Sequence, residues 1–122
     1  MNIIVPLGGL ESRFNHHGYR FPKPLINVVG RPIIKWLFDN LYLNDDDSVF
    51  LALSETYDRQ FNLTETITQE YSTKFNVVYL RFATRGPAET IYSVVHKMTP
   101  EQKARKTISL DCDTFYFSNI LE

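Results

Sequence analysis

The sequence predicts an α/β domain, a doubly wound and mainly parallel sheet of about four to five strands with helices on both faces, and two observations carry that prediction. Short apolar runs of strand length recur at 2–7, 48–53, 77–82 and 107–110 without strict polar alternation, as strands buried on both faces do. Between them apolar residues repeat at helical spacing: Ile33, Ile34, Leu37, Phe38 and Leu41 in one segment, Ala88, Ile91, Val94, Val95 and Met98 in another. Strands that alternate with helices are joined by right-handed crossovers, which makes neighbouring strands parallel.

Taken in order, Asn2-Ile3-Ile4-Val5-Pro6-Leu7 is a first strand stopped by Gly8-Gly9. Periodicity is lost over 8–24, where Gly, His, Asn, Arg, Lys and Pro take over, and a loop of about 17 residues in a compact domain is usually functional. An extended piece over 25–29 leads into Gly30-Arg31-Pro32, a turn with proline at the start of a helix predicted over 32–42. Asn44-Asp45-Asp46-Asp47 is a polar turn before the second strand. Leu63, Ile67 and Tyr71 fall four residues apart and predict a weaker amphipathic helix over 59–71. Arg85-Gly86-Pro87 breaks the third strand and opens a helix over 88–98. A charged surface connection over 100–106 precedes the fourth strand, which runs directly into Asp111-Cys112-Asp113.

The 122 residues suit one domain with one core. Apolar residues make up 43% and charged residues 22%, the balance of a globular chain rather than a disordered or fibrous one. Thirteen Lys and Arg against 14 Asp and Glu leave a net charge of -1, with no cationic surplus for a phosphate backbone, so nucleic acid is not the expected partner. No apolar run reaches the roughly 18 residues of a membrane span, and no basic segment followed by an apolar one opens the sequence, so we expect a cytoplasmic protein without a membrane partner. A single cysteine, Cys112, excludes an internal disulfide framework and a cysteine-based zinc site.

In a doubly wound sheet, ligands bind outside the carboxyl ends of the strands. Three unusual segments follow strand ends: 8–24, Arg85-Gly86-Pro87 and Asp111-Cys112-Asp113. In the first, Gly8 and Gly9 let the backbone approach a ligand and turn its amides to an anion, and Arg13 adds a forked cation suited to phosphate oxygens. Lys23 lies between Pro22 and Pro24, which stiffen the backbone that carries it. The plainer reading of these residues is a turn with surface cations. In the third segment, Asp111 and Asp113 are close enough to share a magnesium or manganese ion, although Asp-x-Asp is also frequent in ordinary turns. Cys112 between two carboxylates has its thiolate disfavoured, which argues against a nucleophile.

The stretch 5–32 resembles the signature of the nucleotidylyltransferases that activate sugar phosphates. In that family a Gly-rich turn ending in Arg is followed by Pro-Lys-Pro-Leu, a short strand, then Gly, a basic residue and Pro. Here these are Gly8-Gly9 to Arg13, Pro22-Lys23-Pro24-Leu25 and Gly30-Arg31-Pro32, in matching order and separation. The resemblance implies a single Rossmann-like nucleotide-binding domain over 1–122, of the kind that GT-A-type glycosyltransferases share. It implies that Leu7, Gly8 and Gly9, with Glu11 and Ser12, border the nucleotide, that Arg13 and Lys23 act on its phosphates, and that Gly86 and Ala88 lie against base and ribose. Asp111 and Asp113 would hold Mg2+ or Mn2+. The reaction implied moves a nucleotidyl group from a nucleoside triphosphate to a phosphorylated small-molecule acceptor with release of pyrophosphate, the chemistry that supplies nucleotide sugars for capsule or polysaccharide biosynthesis.

Glu11 departs from the pattern, since the family usually has glycine there. A carboxylate can repel the triphosphate, unless its side chain points to solvent, and a non-glycine residue is costly at positive φ. The resemblance covers nearly the whole chain but only about the first half of a typical family member. We therefore expect a sheet that ends near the Asp-x-Asp strand with an open edge, where a second copy or another chain can pair. Two functional classes follow: an enzyme that needs a second half or partner, and a non-catalytic nucleotide-binding or assembly module. A fragment of a GT-A-type glycosyltransferase is the remaining alternative.

Overall fold

The computed structural model describes residues 1–8, 23–71, 73–80 and 86–112. Along the chain these form β1 (Asn2–Gly8), a 3-10 turn (Lys23–Leu25), the two-residue strands β2 (Asn27–Val28) and β3 (Arg31–Pro32), α1 (Ile33–Asp39), β4 (Ser48–Ser54), α2 (Glu55–Phe61), α3 (Leu63–Thr68), β5 (Lys74–Leu80), α4 (Pro87–His96), α5 (Pro100–Lys103) and β6 (Thr107–Ser109). Four strands make one sheet in the order β5-β4-β1-β6, every neighbouring pair parallel. The predicted α/β class with a parallel sheet and helices on both faces is the one observed.

Alternation along β1 divides the core. Ile3, Val5 and Leu7 point to one face and join Ile34, Leu37, Leu51, Leu63 and Ile67, while Ile4 points to the other and meets Phe50, Ala52, Val78, Val94 and Met98. Helices α1 and α3 lie over the first face and α4 over the second. Every residue of β4 is buried, which explains why its sequence lacks polar alternation. The start of β1 is fastened as well: Asn2 donates through Nδ2 to the Gln102 carbonyl at 2.6 Å and to Thr107 Oγ1 at 3.2 Å, and the terminal ammonium of Met1 pairs with Asp47 at 3.1 Å.

Several predicted elements take a different form. The expected helix over 59–71 is two shorter ones, parted at Asn62, whose φ of 55° breaks the helical path. Asp58 makes the break stable by accepting from the Thr64 amide at 2.8 Å, near the start of α3, and from the Tyr79 hydroxyl at 2.7 Å. Burial pushes the Asp58 pKa up, but those bonds outweigh it and hold the carboxyl below its ordinary value. The helix expected over 32–42 ends at Asp39, where the Asn40 amide donates to the Leu37 carbonyl, the Leu41 amide to that of Phe38, and the Asn40 side chain to the Trp36 carbonyl at 2.8 Å. Within the expected extended piece 25–29, the chain instead leaves the 3-10 turn and enters an antiparallel hairpin of β2 and β3. Its two turn residues, Val29 and Gly30, have φ of 51° and 77°, a pattern suited to the twist of a two-residue hairpin. The charged connection before β6 contains the one-turn α5, opened by a reciprocal cap between Thr99 and Gln102.

Candidate functional site

The strand order places β4 on one side of β1 and β6 on the other. The chain thus leaves β1 toward β4 and returns across the sheet to β6, and the gap between the carboxyl ends of β1 and β6 is where a doubly wound fold opens a crevice. Beside that gap β1 carries a bulge: Pro6 pairs with Ala52 and Gly8 with Leu53, leaving Leu7 as the extra residue. A bulge at a strand end re-aims the chain, here just before the glycine-rich segment. Leu7 keeps its side chain in the core, 3% exposed, so only its backbone is left to border a ligand. Opposite, Leu110 extends the pairing of β6 by donating its amide to the Ile4 carbonyl at 2.9 Å. Leu110 and Cys112 pack into the core on the α1 side, and Asp111 between them is exposed. Cys112 itself is partly buried against that core.

The third contribution is the start of α4. This helix links the carboxyl end of β5 to the amino end of β6, so connectivity sets its first turn on the same edge as Gly8 and Asp111. Gly86 precedes the helix in fully extended backbone, φ 169° and ψ -178°, which any residue can adopt, and a Cβ added there would meet nothing within 4 Å. The fold therefore gives no reason for glycine at this position. Ala88 is exposed in the first turn, and Thr90, behind it, is buried with its amide on the Gly86 carbonyl at 3.3 Å.

By connectivity Gly8, Gly86, Ala88 and Asp111 all lie at or after carboxyl ends of strands of the sheet. Lys23 begins the 3-10 turn, which packs on α1, with Pro24 buried and Leu25 against the core. Gly9, Glu11, Ser12, Arg13 and Asp113 lie outside the described residues. Among the described residues no three His, Cys, Asp or Glu side chains stand together in a way that could hold a metal. Asp111 offers an exposed carboxylate, a donor suited to a hard cation, but a single carboxylate is an incomplete ligand set.

Sequence reasoning did not assign Arg31, the basic residue of Gly30-Arg31-Pro32, any contacts. Its guanidinium grips Asp39 with two bonds, Nε to Oδ2 at 2.8 Å and Nη2 to Oδ1 at 3.0 Å, and also binds Glu70 and the Tyr71 hydroxyl. Lys35 meets Glu70 at 2.8 Å, and the Tyr71 hydroxyl donates to Asp39 at 2.8 Å. The bonds from Arg31 and Lys35 hold the Glu70 carboxyl down to about 2, and those to Asp39 and Glu70 raise the Arg31 pKa further above its ordinary value. Burial, and then the bond to Asp39, raise the Tyr71 pKa. The nearest sequence signal is only that Arg31 and Asp39 flank a short helix; Glu70 and Tyr71 are some forty residues away and no local pattern joins them.

No protein-family model matches the sequence, and no curated protein matches it either. Solved structures do. A nucleoside-diphosphate-sugar pyrophosphorylase from Vibrio cholerae superposes with a TM-score of 0.66 at 22% identity, over 93% of this chain and 48% of that one. HddC from Yersinia pseudotuberculosis gives a TM-score of 0.64 at 19% identity, over 97% of this chain and 50% of its own. This chain has their fold. It spans about half the length of each. Identity this low carries the likeness no further than the path of the backbone. Among the described residues no helix is long and apolar enough to cross a membrane.

Proposed function

We propose that the chain binds a nucleoside triphosphate at the carboxyl edge of β1 and β6 and forms the nucleotide side of a sugar-phosphate nucleotidylyltransferase-like active site. The observation that carries this reading is the meeting, at one switch point, of the bulged end of β1 that enters the glycine-rich segment and the end of β6 that presents Asp111. The match of 5–32 to the family signature supports it, and so does the name of the Vibrio cholerae neighbour. In this reading backbone amides at Gly8 and Gly9 cradle the phosphates and Arg13 and Lys23 offset their charge. Gly86 and Ala88 leave room for the base and ribose. Asp111 and Asp113 would hold a Mg2+ or Mn2+ ion, which would supply neutralisation of part of the triphosphate charge. A phosphate oxygen of the acceptor attacks the α-phosphorus, the bond to the bridging oxygen breaks, and pyrophosphate leaves with the negative charge that the two cations stabilise. The acceptor side would come from a second chain or a further segment, and the outer side of β6 is where it would join the sheet.

The test is calorimetric titration with each nucleoside triphosphate, with and without magnesium, followed by a pyrophosphate-release assay over a panel of sugar 1-phosphates and phosphocholine. Lys23→Ala should weaken binding about tenfold or more, the loss of one charge-assisted contact. Asp113→Asn should abolish the gain from magnesium. Unchanged affinity in the first variant removes Lys23 from the site, and a full magnesium effect in the second removes the metal assignment.

Glu11 favours a second reading, a nucleotide-binding or assembly module without catalysis. If its carboxylate opposes the phosphates, Glu11→Gly should tighten triphosphate binding more than monophosphate binding, and salt should shrink the difference. Binding without pyrophosphate release for any acceptor supports this second reading.

A further inference from the structure

We infer that Arg31 is a positioning residue for Lys23, acting through the segment between them; the inference rests on the reading of Lys23 as a phosphate-binding cation. The segment 23–32 is fastened to α1 at successive points. Leu25 packs into the core, the Ile26 carbonyl accepts from the Ile33 amide at 2.9 Å, the Val28 carbonyl accepts from Trp36 Nε1 at 2.8 Å, and Arg31 closes the far end on Asp39. Because Glu70 and Tyr71 also hold Arg31, the same clamp ties the hairpin to the chain beyond α3. Its guanidinium is committed to carboxylates and a hydroxyl, so it is not a spare cation for phosphate. The two acids and two bases, Asp39, Glu70, Arg31 and Lys35, balance to zero charge, so the cluster has no net attraction for an anion of its own. What it does have is geometric fixity. A bidentate pair sets both the distance and the plane of the arginine, and with it the end of a short segment whose other end is the turn at Lys23.

Fixity of this kind matters to a lysine more than to the fold. The ammonium is carried on a flexible stem, so the place of its backbone decides how much entropy is lost when it meets a phosphate. Releasing Arg31 should therefore weaken triphosphate binding chiefly through Lys23.

A double-mutant cycle on the whole chain tests this. Arg31→Gln, Lys23→Ala and the pair are titrated with ATP, CTP, GTP and UTP in magnesium, alongside urea unfolding of each protein. We expect Arg31→Gln to weaken the preferred nucleotide about threefold or more in the parent and by less than about twofold once Lys23 is alanine, the signature of coupled residues. Glu70→Gln, at the exposed rim of the cluster, removes one partner with less risk to folding and should give the same pattern at smaller size. Arg31→Lys keeps the charge but cannot grip Asp39 in two places, and should restore only part of the affinity. Equal losses in both backgrounds, or none in the parent, overturn the inference and leave the nucleotide site standing. A parent that binds no nucleotide overturns the reading of the site itself, and the inference falls with it.

Discussion

Among the described residues, three short helices and a charged clamp cover one face of the sheet, and the ten-residue α4 covers Ile4, Phe50, Ala52 and Val78 on the other. The first face holds the larger cluster and the packed aromatic pairs of Phe38 with Tyr71 and with Phe75. The outer side of α4 carries Tyr92, 69% exposed and stacked on His96. The face with more described elements carries most of the core, and α4, on the other, begins after the carboxyl end of β5.

The sharpest test uses adjacent residues of β1 that are equally buried on opposite faces. Ile3→Ala and Ile4→Ala should each cost about 2–5 kcal/mol in urea unfolding, with Ile3 the costlier, because the larger cluster collapses less readily around a cavity. A larger loss at Ile4 would reverse the assignment of the two faces.

Next comes Asp58, which lets the first face be covered by α2 and α3 in place of one longer helix. Asp58→Asn should destabilise by about 1–3 kcal/mol, the range for hydrogen bonds to a charged group. The sign of the pH effect follows from the lowered pKa. A carboxyl whose pKa falls on folding stabilises the native state above its unfolded value and loses that contribution as pH drops through the folded one. Parent and variant should therefore differ by a constant amount near neutrality and converge below about pH 4. A gap that stays constant into acid would mean that the charge of Asp58 contributes nothing.

A smaller gain is expected at the hairpin that leads into α1. Val29 is 90% exposed and branched at Cβ, yet sits at φ 51°. Val29→Asn, followed by Gly30, supplies the residue pair that such a turn prefers and should add about 1 kcal/mol of stability. A lower melting midpoint in the variant would show that the valine makes a contact worth more than its strain.

The smallest effect on stability belongs to the start of α4. Gly86→Ala should shift unfolding by less than about 0.5 kcal/mol, since a poorer cap and a less flexible unfolded chain oppose each other. The same variant should weaken nucleotide binding if the base or ribose lies against Gly86. Parent-like affinity would separate the start of α4 from the site.

What could be read from the sequence follows how local each signal is. The strands of the main sheet and α4 were legible within a few residues because burial on both faces, or along one stripe, fixes residue type directly. The α2–α3 break was not. Leu63, Ile67 and Tyr71 have helical spacing, but the left-handed turn at Asn62 is accompanied by bonds that Asp58 accepts from the Thr64 amide and from Tyr79, a residue on β5. That glycine follows β1 and aspartate follows β6 could be read in advance, whereas the ion pairs of Arg31 could not.

By itself the sequence determined that this is an alternating α/β chain and which segments follow strand ends, because apolar periodicity and glycine or proline breaks act within one element. Only the tertiary structure decided that β6 lies beside β1, with β4 and β5 on the other side, and so which two strand ends meet. It also decided that Arg31 faces Asp39, Glu70 and Tyr71. The physical reason is the same in both cases: strand order and long-range ion pairs are settled when helices choose a face of the sheet, a choice that depends on the packing of the whole core and leaves no trace in the spacing of neighbouring residues.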